Sequence, residues 1–165
     1  MKNKLLKRIT SVILLIFAII NIFWFINWYK YNDYKNAVGY DDIGDRYFTV
    51  DSEGYRFAVF APDYLRFTGN LTVGNNLWEE ESENCTCSLI IWPLFNGDYK
   101  FGINIYVPLS SETGYTYECY SFLLTENGEC LTENLSSDEE RILNENSGLI
   151  QKTYEKAHDM WGIGG

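Results

Sequence analysis

Side chains that carry acid–base chemistry are scarce in this sequence. It contains one histidine, His158, in 165 residues, and histidine is the commonest general acid or base in enzymes. It has no nucleophile elbow, phosphate-binding glycine loop, H-E-x-x-H zinc motif or EF-hand loop. We therefore expect a protein that is not an enzyme and has neither a cofactor nor a metal site. Paired carboxylates, which suffice to hydrolyse a glycoside, are the catalytic alternative that remains.

Basic side chains are also scarce beyond the N-terminus. From Lys30 onward the chain has all 23 acidic residues but 9 of the 13 basic ones, a net charge of −14. This charge argues against binding to nucleic acid, which needs a basic surface, and against a domain lying on anionic lipid. It favours a basic protein partner, since opposite charge speeds encounter. The alternative is that the acidity only keeps the protein soluble.

The N-terminal region contains a long apolar run instead. Residues 9–28 (ITSVILLIFAIINIFWFINW) would form a helix about 30 Å long, the thickness of a bilayer's hydrocarbon core. Cations before this run predict a cytoplasmic N-terminus at the cell membrane, and the run is too long for a cleaved signal. We predict a cytoplasmic basic segment at 1–8, a transmembrane anchor at 9–29, a polar stalk at 30–45 and an extracytoplasmic domain at 46–165.

The period of the apolar residues predicts the fold of that domain. Alternation with a period of two predicts strands, which cover residues 47–50, 55–61, 65–73, 87–92, 99–107, 115–125 and 129–132. Ser137 with Glu140 fits a capping box, and apolar residues at helical spacing follow it as far as Trp161. The prediction is an α+β domain, an antiparallel β-meander of about six or seven strands covered by one C-terminal helix and preceded by the single transmembrane helix.

Four cysteines lie in the exported part: Cys85, Cys87, Cys119 and Cys130. An even number on the exported side is compatible with disulfides. Cys85 and Cys87 are one residue apart and would bridge each other poorly. Two sets of pairs remain, Cys85–Cys119 with Cys87–Cys130, or Cys85–Cys130 with Cys87–Cys119. Free buried thiols are the alternative, whereas C-x-C is a poor match to a zinc knuckle.

Two features are candidates for contact with a partner. One is the acidic cluster beside Trp78, formed by Glu79, Glu80, Glu81 and Glu83. A solvated loop and a cation site are the alternatives, but the cluster lacks the alternating spacing and the glycine of a dedicated calcium loop. The other is the aromatic content, 17% of residues. Tyr106, Tyr120 and Phe122 fall on strand faces expected to be wet, where aromatics suit a protein interface or sugar stacking. Burial on both faces of the sheet is the alternative.

The layout resembles that of TipC-type membrane-anchored immunity proteins of Gram-positive bacteria. The resemblance lies in residues 2–28 and in the turn at 126–129 (ENGE) that leads into the last helix. It implies an outward-facing domain that blocks a toxin delivered by a neighbouring cell. The rival class is a cell-envelope accessory or carbohydrate-binding protein without catalysis.

Overall fold

A computed structural model describes residues 2–40, 47–63, 68–75, 85–109 and 116–163. Its elements in chain order are α1 (Lys2–Val38), β1 (Tyr47–Val50), β2 (Tyr55–Phe60), β3 (Asn70–Asn75), β4 (Thr86–Pro93), β5 (Tyr99–Leu109), β6 (Thr116–Leu124), α2 (Ser137–Glu145) and α3 (Ser147–Trp161). The α+β architecture predicted from the sequence is confirmed.

The six strands form one antiparallel sheet in the order β1-β2-β3-β4-β5-β6, the meander expected from the sequence. Asp51 sets the first turn, because its Oδ1 accepts hydrogen bonds from the backbone N–H groups of Glu53 and Tyr55. Residues 129–132 do not form a seventh strand. Their contact with the sheet is an isolated bridge between Cys130 and Leu124.

The register of the strands brings the large apolar side chains to one face of the sheet. Val59, Leu71 and Ile91 are cross-strand neighbours, and the same row continues through Phe101 to Leu124. Because side chains alternate between faces, a residue two positions along each strand joins the same core. The strand residues buried in this core are Tyr55, Phe57, Val59, Leu71, Val73, Cys87, Leu89, Ile91, Phe101, Ile103, Ile105, Phe122 and Leu124.

Helices cover this core face from two directions. α3 packs on β3 and β4, whereas α1 packs on β1 and β2. The predicted C-terminal helix is divided into α2 and α3 at Asn146, whose buried side-chain amide donates to Ile142 O at 2.8 Å. Asparagine competes with helical backbone bonding in this way, which explains the break. The capping box is also one residue earlier than predicted, at Ser136 and Glu139.

α1 continues through the first part of the predicted stalk. The sequence predicts an aperiodic segment over residues 30–45, but the helix extends to Val38. Tyr31, Lys35 and Val38 recur at helical spacing, and each is buried against the rest of the protein. Gly69 permits this contact, since a Cβ there would lie 2.8 Å from the Tyr31 ring. Tyr31 and Lys35 are polar residues, so a search for apolar periodicity does not detect the buried stripe.

The earlier part of α1 differs from this packed part. Within Leu6–Val38 an eighteen-residue window is apolar enough to cross a membrane, and none of that window is buried within the protein. Trp24 contacts the sheet domain through a hydrogen bond from its Nε1 to Asp63 O at 2.9 Å. By length and composition, α1 can therefore serve as a single membrane span.

Candidate binding surface

The structure locates only some of the residues that the sequence marks for partner contact. Trp78, Glu79, Glu80, Glu81 and Glu83 lie outside the described residues. They therefore remain candidates from the sequence alone, without a position relative to the sheet.

Tyr106 and Tyr120 lie on opposite faces of the sheet and do not form one patch. Tyr106 is half-buried and pairs with Cys119 on the face that no described helix covers. Burial raises its pKa. Tyr120 pairs with Ile105 and packs at the margin of the core, where a hydrogen bond with Glu118 is the main cause of its raised pKa. Phe122, expected on a wet face, is 3% exposed and belongs to the core.

All four cysteines are free thiols in the structure, so neither predicted set of disulfides is present. The strand register excludes the pair between Cys119 and Cys87. Cys119 is the cross-strand neighbour of Tyr106, which is in turn the neighbour of Thr86, so the side chains of all three lie on the same face of the sheet. Cys87 follows Thr86 in β4, and its side chain therefore lies on the opposite face.

The pair between Cys130 and Cys87 is excluded by distance. Cys130 lies beyond β6, bridged to Leu124, whereas Cys87 lies in β4. Three strand spacings of about 4.8 Å separate them, about 14 Å, and the Cα atoms of a disulfide are within about 7 Å. Cys87 instead forms a hydrogen bond with Thr153 of α3, with 2.9 Å between Sγ and Oγ1. Burial raises the pKa of the Cys87 thiol to about 11.

The second face of the sheet carries no helix among the described residues. Across its middle runs a mostly apolar row of cross-strand neighbours, namely Phe48, Ala58, Thr72, Ile90, Gly102 and Leu123. The ring of Trp92 lies against Gly102, where a Cβ would be 2.9 Å from Cζ3. On this face, which we call the open face, a half-buried aromatic ring therefore lies on a mostly apolar surface.

The charges of the domain are distributed unevenly along the chain. Between Lys100 and Arg141 there are eight acidic residues and no lysine, arginine or histidine. This segment includes β6, the following turn and the start of α2. Arg141, the first cation after it, already pairs with Asp138 at 3.5 Å and with Glu145 at 3.2 Å. We call residues 116–140 the acidic flank.

An open groove of about 300 Å³ lies beside the acidic flank, between the turn after β6 and the surface of α3. Its lining residues are Glu126, Asn127, Gln151, Tyr154, Glu155, His158 and Asp159. The lining has three carboxylates and neither lysine nor arginine. It therefore continues the negative surface onto α3.

No metal-binding cluster is found in the part of the chain that the structure describes. Within it, no group of three or more histidine, cysteine, aspartate or glutamate side chains could hold a metal ion. His158 is exposed on α3, on the wet side predicted from the sequence.

The acidic flank is the feature that the sequence analysis did not identify. The signal was present as the absence of cations over residues 101–140, but only the structure places β6 at the edge of the sheet. Comparison of the chain with protein-family models, with curated proteins and with solved structures found no match.

Proposed function

We propose that this protein is a single-pass, membrane-anchored module that holds an acidic domain outside the cell and binds a basic protein there. In its specific form the module is an immunity protein that neutralises an incoming toxin. The observation that supports the proposal most directly is the acidic flank, where the seven acidic residues of 116–140 have no cation among them. A surface of one sign attracts a partner of the other sign and speeds their encounter.

The continuity of α1 supports the membrane part of the proposal. The same helix contains the exposed apolar window and the buried contact residues Tyr31, Lys35 and Val38. A domain joined to its anchor by a packed helix has a restricted position, whereas a flexible stalk would allow it to swing. Under the proposal, the domain and its acidic flank are thereby held in a fixed position relative to the membrane that a toxin has to reach.

Binding is tested with the full-length chain in phosphatidylcholine nanodiscs as bait for proteins secreted by competing Gram-positive bacteria. The captured protein is identified, and its association rate is measured at about 50 and about 200 mM salt. We expect a basic protein whose association slows about tenfold over this range. Glu133→Lys, on the acidic flank, should slow association, whereas Asp33→Lys on α1 makes the same charge change and should have little effect. Saturable binding that is insensitive to salt contradicts the electrostatic proposal.

The immunity form has its own test in living cells. Cells that lack the chain should be killed by the competitor's secreted protein and rescued by the full chain. A secreted form for comparison has to retain residues 24–165, because Trp24 and Tyr31 contact the domain. If this untethered form protects as well as the full chain, the anchor has no part in the function.

A second candidate function follows from the open face, where Trp92 lies on Gly102. An aromatic ring on a flat sheet suits stacking against a sugar. In that case the protein would be retained on purified cell wall, and Trp92→Ala would abolish the retention while leaving the binding of a basic protein unchanged.

A further inference from the structure

The last strand of the sheet has an edge with free hydrogen-bonding groups. At its end, Leu123 N–H donates to Thr132 Oγ1 at 3.1 Å, and Leu123 O accepts from Leu131 N–H at 2.8 Å. Both backbone groups of Leu123 therefore point away from β5. In an antiparallel ladder this direction alternates from residue to residue. The backbone groups of Tyr117, Cys119 and Ser121 consequently point outward as well.

These outward groups have no partner in the described part of the chain. Hydrogen bonds from 131 and 132 stop at Leu123, and the remaining length of β6, from Thr116 to Phe122, has none on that side. Three donors and three acceptors are thus presented in a row, together with the exposed side chains of Tyr117 and Cys119. An edge of this kind is a template for another strand.

The charge beside this edge indicates which strand it would accept. Glu118 lies in the middle of the free length, and Glu133 and Asp138 follow on the same acidic flank. Cross-strand pairs of opposite charge stabilise a sheet, whereas like charges opposite each other destabilise it. A second copy of this chain would bring another Glu118 and another acidic flank to the edge, so self-pairing is disfavoured.

We infer that the free edge of β6 binds an extended basic segment of a partner protein as a seventh antiparallel strand. The inference rests on the proposed function and specifies where the basic partner contacts the domain. Backbone bonds to Tyr117, Cys119 and Ser121 would supply the register. Cationic side chains opposite Glu118 would supply the preference for a basic sequence.

The experiment uses full-length protein in phosphatidylcholine nanodiscs and a nine-residue peptide in which lysine and threonine alternate. Binding is followed by the amide NMR signals of the protein. Two control peptides are compared with it: one has glutamate in place of lysine, and the other is the lysine peptide N-methylated at alternate amides. The lysine peptide is also tested against the protein variant Ser121→Pro. Proline removes the outward N–H of this edge residue together with the hydrogen bond from Ser121 Oγ to Asn104 Oδ1. Ser121→Ala is its control, because it loses the same side-chain bond and retains the N–H.

We expect the lysine peptide to shift the amide signals of Tyr117, Cys119 and Ser121. Its affinity should fall at least about tenfold with N-methylation and with Ser121→Pro, and by less than about twofold with Ser121→Ala. The glutamate peptide should bind at least about tenfold more weakly. N-methylation leaves Ser121 intact, so the test stands even if the proline variant does not fold.

The opposing outcomes separate this inference from the proposed function. If the lysine peptide binds equally well after N-methylation, or shifts signals only around the groove on α3, strand addition is wrong while the basic-partner proposal stands. If neither peptide binds, strand addition is wrong, and the proposed function is decided by whether the full-length chain captures a basic protein. If the signals of β6 depend on protein concentration without peptide, a second copy occupies the edge and the inference is overturned.

Discussion

Lys156 Nζ lies 2.7 Å from Asp51 Oδ2, and this ion pair joins α3 to the turn between β1 and β2. The same nitrogen lies 2.6 Å from Glu53 Oε1. The side chains of Lys156 and Asp51 are only 17% and 21% exposed, whereas those of Lys152 and Glu53, which also pair, are 50% and 48% exposed. Because water screens exposed pairs, the two lysines should differ in their effect on stability.

We predict that Lys156→Met lowers the melting temperature more than Lys152→Met does. Each variant loses one charge and keeps a long apolar side chain, so the comparison isolates the ion pairs. Lys156→Met leaves the shielded Asp51 carboxylate without its partner, which is the costly part of breaking such a pair. Thermal unfolding of both variants at neutral pH measures the difference. Equal losses would mean that Lys156 contributes no more than a surface cation.

The effect of Lys156→Met should also depend on pH. For Asp51, burial acts to raise the pKa, but hydrogen bonds from Lys156 and from the backbone outweigh it and lower the pKa. For Glu53, hydrogen bonds from Lys152 and Lys156 lower the pKa. A carboxyl with a depressed pKa stabilises the fold above its unfolded pKa and loses that contribution as pH falls through its folded pKa. The gap in melting temperature between wild type and Lys156→Met should therefore be constant near neutral pH and shrink below about pH 4.

Gly102 should tolerate no side chain while Trp92 lies on it. A Cβ at Gly102 would be 2.9 Å from Cζ3 and 3.0 Å from Cη2 of that ring. We expect Gly102→Ala to lower the free energy of unfolding by about 1–3 kcal/mol, the usual range for overpacking. In a Trp92→Leu background the loss should be smaller by at least about 0.5 kcal/mol, which a double-mutant cycle detects.

Gly148→Ala is the matched control, because an added Cβ there meets nothing within 4 Å. It lies in α3, where alanine is favoured over glycine by about 0.5–1 kcal/mol, so this variant should be neutral or stabilising. If Gly102→Ala costs no more than Gly148→Ala, the contact between ring and glycine does not constrain the open face.

Much of the sheet could be predicted from the sequence because its strands have a simple local signal. Alternation marks Phe101, Ile103 and Ile105 as one face, and short turns such as that at Asp51 fix neighbouring strands as antiparallel pairs. Alternation does not determine which face is covered. Tyr120 was therefore expected to be wet, although it lies on the core side of β6.

Features that depend on distant contacts could not be predicted in this way. Cys87 and Cys119 are both strand residues, but only the strand register shows that their side chains lie on opposite faces of the sheet. The packing of the second half of α1 against the sheet could not be predicted for a related reason. Its buried positions include Tyr31 and Lys35, whose polar groups conceal the buried stripe. Gly69, against which the Tyr31 ring packs, lies just before β3 and is distant in sequence.

The packed half of α1 leads to a prediction about Tyr31. Its side chain is completely buried, whereas that of Tyr29, two residues earlier, is 64% exposed. Removal of a buried aromatic ring costs about 3–5 kcal/mol, so Tyr31→Ala should lower the stability of the domain by about that amount. Tyr29→Ala should change it by less than about 0.5 kcal/mol. Denaturant unfolding of full-length protein in detergent measures both.

Hydrogen exchange distinguishes loss of helix docking from general loss of stability. Tyr31→Ala should speed amide exchange over residues 29–38 more than in β4 and β5, which lie at the centre of the sheet. Uniform acceleration throughout the domain would show that α1 and the sheet open as one unit.

The four thiols provide a direct test of the cysteine geometry. Protein prepared without reductant and then denatured should react with four equivalents of alkylating agent, since all four cysteines are free. In the native protein at about pH 8, exposed Cys119 should react quickly and Cys87 only on unfolding, because the thiolate is the reactive form.

Burial raises the pKa of Cys87 to about 11. A thiol with a raised pKa stabilises the fold below its unfolded pKa, and that contribution is lost as pH rises toward the folded value. Stability should therefore decline between about pH 9 and about pH 11, and less so in Cys87→Ala. Fewer than four reactive thiols, or rapid labelling of native Cys87, would contradict the position of Cys87 beneath Thr153.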